Sequence, residues 1–368
     1  MLELSVPSIA IIGSGPSGCF LAEILALKLP EVSIDIYERL PHPFGLAVSG
    51  VAPDHPHTRK VTDQLQRTLD REEVNLICNT QVGSHISYET LKSRYDRVIF
   101  AVGAEQDRQL GISGENLSNV YGSGAFTRWY NSHPDAQGLN PSLGKKVGII
   151  GNGNVALDIA RMLAKTAEEH QQSDLTPQVR EALANHSIEE IHIFGRRGPT
   201  DASFTLPELT ELGNLANARV RVSPDAFAGI DTNQLPISQQ KVIQQLQSFA
   251  DLSIATSNKI QIQFHFFATP ESISGKDNIE HLHIKDTRSG QADSVQLDSL
   301  ITAIGYQTPK IEGVPYDDLK KRFAHTDSLI EPGVYCVGWC QRGPQGVIPT
   351  NRSEAMSLAR KLIKELEA

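Results

Sequence analysis

Two glycine-rich turns, each set between an apolar run and a helix-like segment, constrain this chain more than any other feature. The first reads Gly13-Ser-Gly15-Pro-Ser-Gly18 after Ser8 to Ile12, and the second reads Gly151-Asn-Gly153-Asn-Val-Ala156 after Lys146 to Ile150. In a strand-turn-helix unit the first glycine permits a tight turn, and the second lets the backbone approach a pyrophosphate. The third position lets helix and strand pack closely, and the helix N-terminus holds the phosphates. The flanking pattern is what separates such a turn from a chance match. Two of them predict two dinucleotides, and hence an α/β chain built on two Rossmann-like dinucleotide-binding domains.

The residue at the end of the next strand indicates which dinucleotide each turn receives. Ser33 to Tyr37 reads as the second strand of the first unit, and Glu38 ends it. A carboxylate there accepts hydrogen bonds from an adenosine ribose diol and repels a 2'-phosphate, so this site suits FAD or NAD(H) and not NADP(H). After the second turn come a helix over Val155 to Ala164, a polar excursion from Thr166 to Ser187, and a strand over Ile191 to Phe194. Where an acid would be expected stand Arg196 and Arg197, within Gly195-Arg-Arg-Gly198. Guanidinium pairs bind phosphate monoesters through charge-assisted hydrogen bonds, so the second site prefers NADPH.

At 368 residues, 39% hydrophobic and 21% charged, the chain has the length of two domains and the composition of a soluble globular protein. No segment reads as a membrane span. The first apolar run is already the Rossmann strand, with no basic start or cleavage site before it, so a cytoplasmic protein without a signal or transit peptide is expected. A formal net charge of -9 argues against nucleic-acid binding. It leaves room for a local basic face drawn from Arg59, Lys60, Arg128, Arg196, Arg197, Arg219, Arg221, Arg342 and Arg352. Among the four cysteines no Cys-x-x-Cys occurs, and Cys336 and Cys340 are separated by three residues. Enzymes that relay electrons through a close cysteine pair are therefore disfavoured, and Cys19 reads as core filler. His55 and His57 have no third ligand at metal-binding spacing, so no metal site is expected.

Further strands are expected at Val74 to Cys78, at Arg97 to Val102 before Gly103, at Gln261 to Phe267, near Ile279 to Lys285, and over Ser294 to Ala303. Gly111 to Gly124 reads as a linker, Gln239 to Gln247 as a helix, and a final helix starts near Ser353. Strand segments ending in Gly305 and Gly338 suggest that the chain returns to its first domain. The NADP domain, residues 105–304, is thus read as an insertion into an FAD domain formed by 1–104 and 305–368. No internal repeat beyond the duplicated nucleotide unit is evident.

An ordered series of motifs spans nearly the whole chain. It comprises Pro43-Phe-Gly-Leu46 with Gly50-Val-Ala-Pro-Asp-His-Pro56, Gly151-Asn-Gly-Asn-Val-Ala-Leu-Asp158, Gly195-Arg-Arg-Gly-Pro199, Phe204-Thr with Glu208, and Gly338-Trp339. Arg342-Gly-Pro-Gln-Gly-Val-Ile348 with Thr350-Asn351 completes it. In these segments the chain resembles the adrenodoxin-reductase-like ferredoxin NADP reductases. The resemblance implies FAD in the first site, NADPH in the second, hydride transfer from nicotinamide C4 to flavin N5, and single-electron delivery to an iron-sulfur ferredoxin. The family's habit points further downstream to a monooxygenase or dioxygenase system.

By matching positions, the resemblance places Gly13, Ser14, Gly15, Ser17, Gly18, Glu38, Arg39, Gly45, Leu46, Val82, Ala101 and Gly103 at FAD. It places Gly338, Trp339, Gly346, Val347 and Ile348 near the isoalloxazine. Gly151, Asn152, Gly153, Asn154, Val155, Arg196, Arg197 and Glu208 would hold NADPH, and His55, Asp158 and Glu208 are the candidates for catalysis. Asp158 lies early in a helix, where the dipole favours a carboxylate in any case, and His55 between Asp54 and Pro56 also suits a turn.

Two departures from the family pattern stand out. Ala47-Val48-Ser49 replaces a basic residue usually found after Leu46, and the chain is shorter between about Arg221 and Leu300, where ferredoxin-docking residues partly lie. An FAD-dependent NADPH oxidase, quinone reductase or monooxygenase without a ferredoxin partner is the alternative reading.

Overall fold

The computed structural model describes residues 6–29, 31–250 and 259–367. The chain forms two compact units. One comprises residues 1–51, 55–106 and 305–368, and the other residues 52–54 and 107–304.

The first unit is built on a six-stranded sheet in the order Leu329–Glu331, Val334–Cys336, Arg97–Phe100, Ser8–Ile12, Ser33–Tyr37 and Val74–Ile77. All neighbours are parallel except the first pair. Ser8–Ile12 buries four of its five residues. A central parallel strand is covered on both faces, so its apolar run is continuous rather than alternating. Helix Pro16–Lys28 packs against the C-terminal helix Ile348–Leu366, with Leu21, Leu25, Leu358 and Leu362 in one core cluster.

The second unit holds a wholly parallel sheet in the order Val120–Gly122, Ser299–Thr302, Lys146–Ile150, Glu190–Phe194, Ile260–His265 and Ala218–Val222. A three-stranded antiparallel sheet, Ala268–Ser274, His281–Asp286 and Ala292–Gln296, accompanies it. Leu157, Leu163, Ile191, Ile193, Leu209 and Ile262 lie in this unit's largest core cluster.

The two sheets share one local design. Each glycine turn follows a strand flanked on one side by the next strand in sequence and on the other by a strand from later in the chain, which is the switch point where α/β sheets bind ligands. The expected helix over Gln239 to Gln247 is present as Ile237–Ser248.

Several expectations need correction. The stretch read as a linker carries an edge strand, Val120–Gly122, and opens the helix Ser123–Tyr130. That helix N-terminus is capped from a distance, because the Asp107 carboxylate accepts from the backbone N–H groups of Gly124 (2.7 Å) and Ala125 (3.1 Å). A polar sequence hid both features. The excursion from Thr166 to Ser187 contains the helix Pro177–Ala184, in which Val179 and Leu183 are buried. Ser294 to Ala303 is two strands in two different sheets, Ala292–Gln296 and Ser299–Thr302. The strand expected to reach Phe267 ends at His265, because Phe267 takes a left-handed conformation. The last helix begins at Ile348, five residues before Ser353, with Pro349 tolerated in its first turn. Among the described residues no helix is long and apolar enough to cross a membrane.

Candidate functional site

In the first unit the turn after Ser8–Ile12 is built by contacts that only glycine allows. Gly13 has φ of 107°, and a Cβ on it would lie 2.6 Å from the carbonyl oxygen of Ala101. A Cβ on Gly18 would lie 2.1 Å from the Gly13 oxygen. Gly15 has open space where its Cβ would stand, at the N-terminus of helix Pro16–Lys28, which no side chain caps. An uncapped helix N-terminus beside an open glycine suits an anionic group.

Glu38 ends the neighbouring strand and is 7% exposed. One of its oxygens accepts from Ser14 N–H (3.2 Å) and Ser14 Oγ–H (2.5 Å), and the other accepts from Leu40 N–H (3.0 Å). The carboxylate is thereby fixed at the turn with lone pairs to spare.

Other predicted residues converge on this turn. Phe44 N–H donates to Ser14 O at 3.1 Å. Gly45, with φ of 50°, passes so close that its Cβ would sit 3.4 Å from Gly15 Cα. It precedes the short helix Leu46–Ser49. Gly338, with φ of 78°, packs on Ser17, where a Cβ would meet Oγ at 2.2 Å. Trp339 follows it, its ring stacked with Tyr306 at a 6.4 Å centroid distance, and its Nε1 is buried without a hydrogen-bond partner.

Gly346 and Val347 lead into helix Ile348–Leu366. They are braced by Arg342, which donates to Gln345 O, to Asn351 Oδ1 and to the Glu354 carboxylate. Arg342 therefore serves this loop and not the basic face expected of it. Ala101 and Gly103 follow the strand Arg97–Phe100, and Gly103 O accepts from Thr308 Oγ1 at 3.1 Å. Arg39 is ion-paired with Glu105 at 2.9 Å. Val82 lies in an isolated bridge with Ile86. His55 precedes the short helix Pro56–Arg59, its carbonyl accepting from Thr58 and Arg59 N–H.

The second unit repeats the device. Gly151 has φ of 147°, and its Cβ would lie 2.2 Å from the oxygen of Ala303. Gly13 N–H donates to Tyr37 O at 2.8 Å, as Gly151 N–H does to Phe194 O at 3.0 Å. Ala101 N–H and Ala303 N–H each donate 2.7 Å back to the central strand, at Ile12 and Ile150. Where the first turn needs Gly18, the second accepts Ala156, which is buried.

Gly153 precedes helix Asn154–Ala164, again with no side-chain cap. Asn152 O accepts from Ser203 N–H and Oγ–H, and Asn154 Oδ1 accepts from Thr205 N–H at 2.8 Å. Asn152 Oδ1 is buried without a partner. Arg196 and Arg197 are exposed at the end of Glu190–Phe194, and Arg197 reaches Asp201 at 3.2 Å.

Asp158 and Glu208 are brought together by a residue the sequence reading missed. Arg161 is 1% exposed. Its guanidinium donates to Asp54 (2.7 and 3.0 Å), Asp158 (2.8 Å) and Glu208 (2.6 Å), with Glu211 at 3.6 Å and Lys165 on Asp54 at 2.6 Å. Asp54 comes from the short segment 52–54 that groups with this unit. Burial alone would raise the Asp54 carboxyl, but the hydrogen bonds and charges of Arg161 and Lys165 outweigh it and hold it well below the ordinary range. Burial likewise opposes the charge on Arg161, and the surrounding carboxylates keep it protonated. A signal was present in the sequence: Arg161 stands three residues after Asp158, on the single polar stripe that Asn154, Asp158 and Arg161 form along an otherwise apolar helix.

The four cysteines are unpaired thiols. Cys19 is fully buried, and burial pushes its thiol far up. Cys340 is pushed up to about 11 for the same reason.

A family model described as pyridine nucleotide-disulphide oxidoreductase matches residues 7–193. The chain belongs to this family. Within it the chain is 37% identical to cindoxin reductase from Citrobacter braakii, over 98% of this chain and 78% of the relative. It is 33% identical to mitochondrial NADPH:adrenodoxin oxidoreductase from Arabidopsis thaliana, over 98% and 82%. The structure of Mycobacterium tuberculosis FprA in complex with NADPH superposes with a TM-score of 0.93 at 34% identity, covering 98% of this chain and 85% of that one. The chain contains no Cys-x-x-Cys.

Proposed function

We propose that this protein is an NADPH-dependent, FAD-containing reductase that passes electrons to a ferredoxin. The observation that carries the reading is the unlike ending of two equivalent strands: buried Glu38 beside the first turn, and the exposed Arg196–Arg197 pair beside the second. An acid suits a free ribose diol and a guanidinium pair suits a 2'-phosphate.

The residues present fit both groups. Gly13 to Gly18 would hold FAD, with Glu38 toward the adenosine ribose and Trp339 Nε1 as a buried donor. Gly151 to Val155 would hold NADPH, with Asn152 Oδ1 as a buried acceptor and the arginine pair toward its phosphate. A bound flavin would supply the conversion of two-electron hydride chemistry into single electrons. Asp158 and Glu208, fixed by Arg161, supply oriented carboxylates in the NADPH-binding unit, and His55 is a candidate for proton handling.

The names of the relatives give their acceptors as cindoxin and adrenodoxin. For this chain the acceptor is a small iron-sulfur ferredoxin feeding an oxygenase. A cytoplasmic setting accords with four unpaired cysteines.

The deciding experiment is anaerobic cytochrome c reduction by NADPH with the flavoprotein, with and without a two-iron ferredoxin from the same source. A large ferredoxin-dependent rate is expected. Fast flavin reduction without that stimulation would remove the ferredoxin and leave an NADPH oxidase or quinone reductase.

A further inference from the structure

The loop that carries Arg196 and Arg197 is held by residues seventy to ninety positions further along the chain. Gly195 N–H donates to His265 O (2.8 Å) and Ala268 N–H to Gly195 O (3.0 Å). Phe267 N–H donates to Arg197 O (3.2 Å), and Thr287 Oγ1–H donates to Arg196 O (3.4 Å). Both carbonyls of the arginine pair are therefore engaged.

Phe267 does this from a left-handed backbone, with φ of 60°. A bulky aromatic residue rarely adopts that conformation, and it persists only where its surroundings enforce it. Two contacts enforce it. The ring packs on Gly198, where a Cβ would lie 2.6 Å from Cζ. The Arg288 guanidinium lies 4.1 Å from the ring centroid. Arg288 is itself fixed, donating to Asp225 O at 3.0 Å and to the Asp286 carboxylate at 3.3 Å.

From this arrangement we infer that Arg288, stacked on Phe267, is a positioning residue for recognition of the 2'-phosphate. The inference rests on the reading of Arg196 and Arg197 as the groups that bind it. Arginine side chains select a phosphate monoester by paired hydrogen bonds, and that selection requires a backbone held in one conformation before the ligand arrives. The ring and the guanidinium supply that restraint. Without them the loop regains its alternatives, and selectivity falls while general nucleotide binding persists.

The test is calorimetric binding of two probes, 2',5'-ADP and 5'-ADP, to the holoprotein and to Arg288→Ala, Phe267→Leu, Phe267→Tyr and Arg196→Ala/Arg197→Ala. Arg288→Ala and Phe267→Leu are each expected to weaken 2',5'-ADP by about five- to tenfold, the scale of a cation–π contact. Binding of 5'-ADP should be unchanged, Phe267→Tyr should bind like the parent, and combining the two losses should add little. An equal loss for both probes would overturn the inference, because it would mark a general structural defect. A loss in Arg288→Ala with none in Phe267→Leu would also overturn it, because the arginine would then act by charge alone. If Arg196→Ala/Arg197→Ala kept the parent's discrimination, the phosphate reading itself would fall, and this inference with it.

Discussion

Arg161 Nε donates to Asp54 Oδ2 at 2.7 Å, between two side chains that are 1% and 3% exposed. Around that pair Asp158, Glu208 and Lys165 complete a network of three carboxylates and two cations, in which Arg161 reaches all three carboxylates and Lys165 shares Asp54.

Removing one partner from such a network leaves charge buried without compensation, at a cost of about 3–5 kcal/mol. Arg161→Met is therefore expected to lower the urea unfolding midpoint sharply. Arg161→Lys keeps the charge but loses the fork that reaches three carboxylates, and should recover only part of the loss. Denaturation followed by circular dichroism decides between these outcomes and a neutral substitution.

Asp54 also sets a direction for acid stability. Its folded pKa lies below the ordinary 3.8, so its contribution is complete above the unfolded value and disappears as pH falls through the folded one. Asp54→Asn should flatten the dependence of stability on pH below about 4. A slope identical to the parent's would assign acid sensitivity to other groups.

Histidine gives a second, milder slope at higher pH. His265 pairs with His192 at 2.9 Å and stacks on Phe194, and burial first, then the His192 charge, lowers it from 6.5 to about 4. The folded state keeps it neutral while the unfolded chain takes up a proton, so stability falls as pH drops from 6.5 towards 4. A displacement of that size sets a ceiling of about 3 kcal/mol, which partial solvent access reduces to about 2 kcal/mol or less. His265→Gln should reduce this slope in unfolding measured between pH 7.5 and 4.5, the remainder coming from His170, His186 and His192, which burial also lowers.

Glu38 joins stability to flavin retention. Its carboxylate holds three donors, and its replacement by Gln loses charge-assisted bonds worth about 1–3 kcal/mol in total. Glu38→Gln is expected to purify with less FAD per chain, read from the flavin absorbance, and to melt at a lower temperature.

The two glycines of the second turn should separate fold from binding. A methyl on Gly151 meets Ala303 O at 2.2 Å, whereas a methyl on Gly153 finds only Ser203 Oγ at 3.6 Å. Gly151→Ala should destabilise the unit by about 2 kcal/mol or more, by overpacking and strain. Gly153→Ala should fold normally and bind NADPH more weakly, because the methyl occupies the phosphate approach. Equal stability loss in both would contradict this division.

Much of the architecture was legible because it is repeated locally. Ser8–Ile12 and Lys146–Ile150 are short apolar runs ending in glycine, and a buried parallel strand followed by a phosphate turn requires that pattern. The places of Glu38 and of the Arg196–Arg197 pair, each just past the strand that follows its turn, were legible for the same reason. The cap that Asp107 places on helix Ser123–Tyr130 was not legible, nor was the edge strand Val120–Gly122 inside a polar stretch, because both depend on partners distant in the chain.

The sequence by itself therefore determined two glycine turns between strand and helix, one followed at the end of the next strand by an acid and the other by an arginine pair, because those signals are local to each unit. Only the tertiary structure decided that Arg161 collects Asp54, Asp158 and Glu208, and that Phe267 and Arg288 hold the arginine loop. Those contacts join residues from 3 to 107 positions apart in one case and 21 to 70 in the other. No local pattern encodes a buried charge network or a stacked guanidinium; each forms only when packing has already fixed where the distant partners stand.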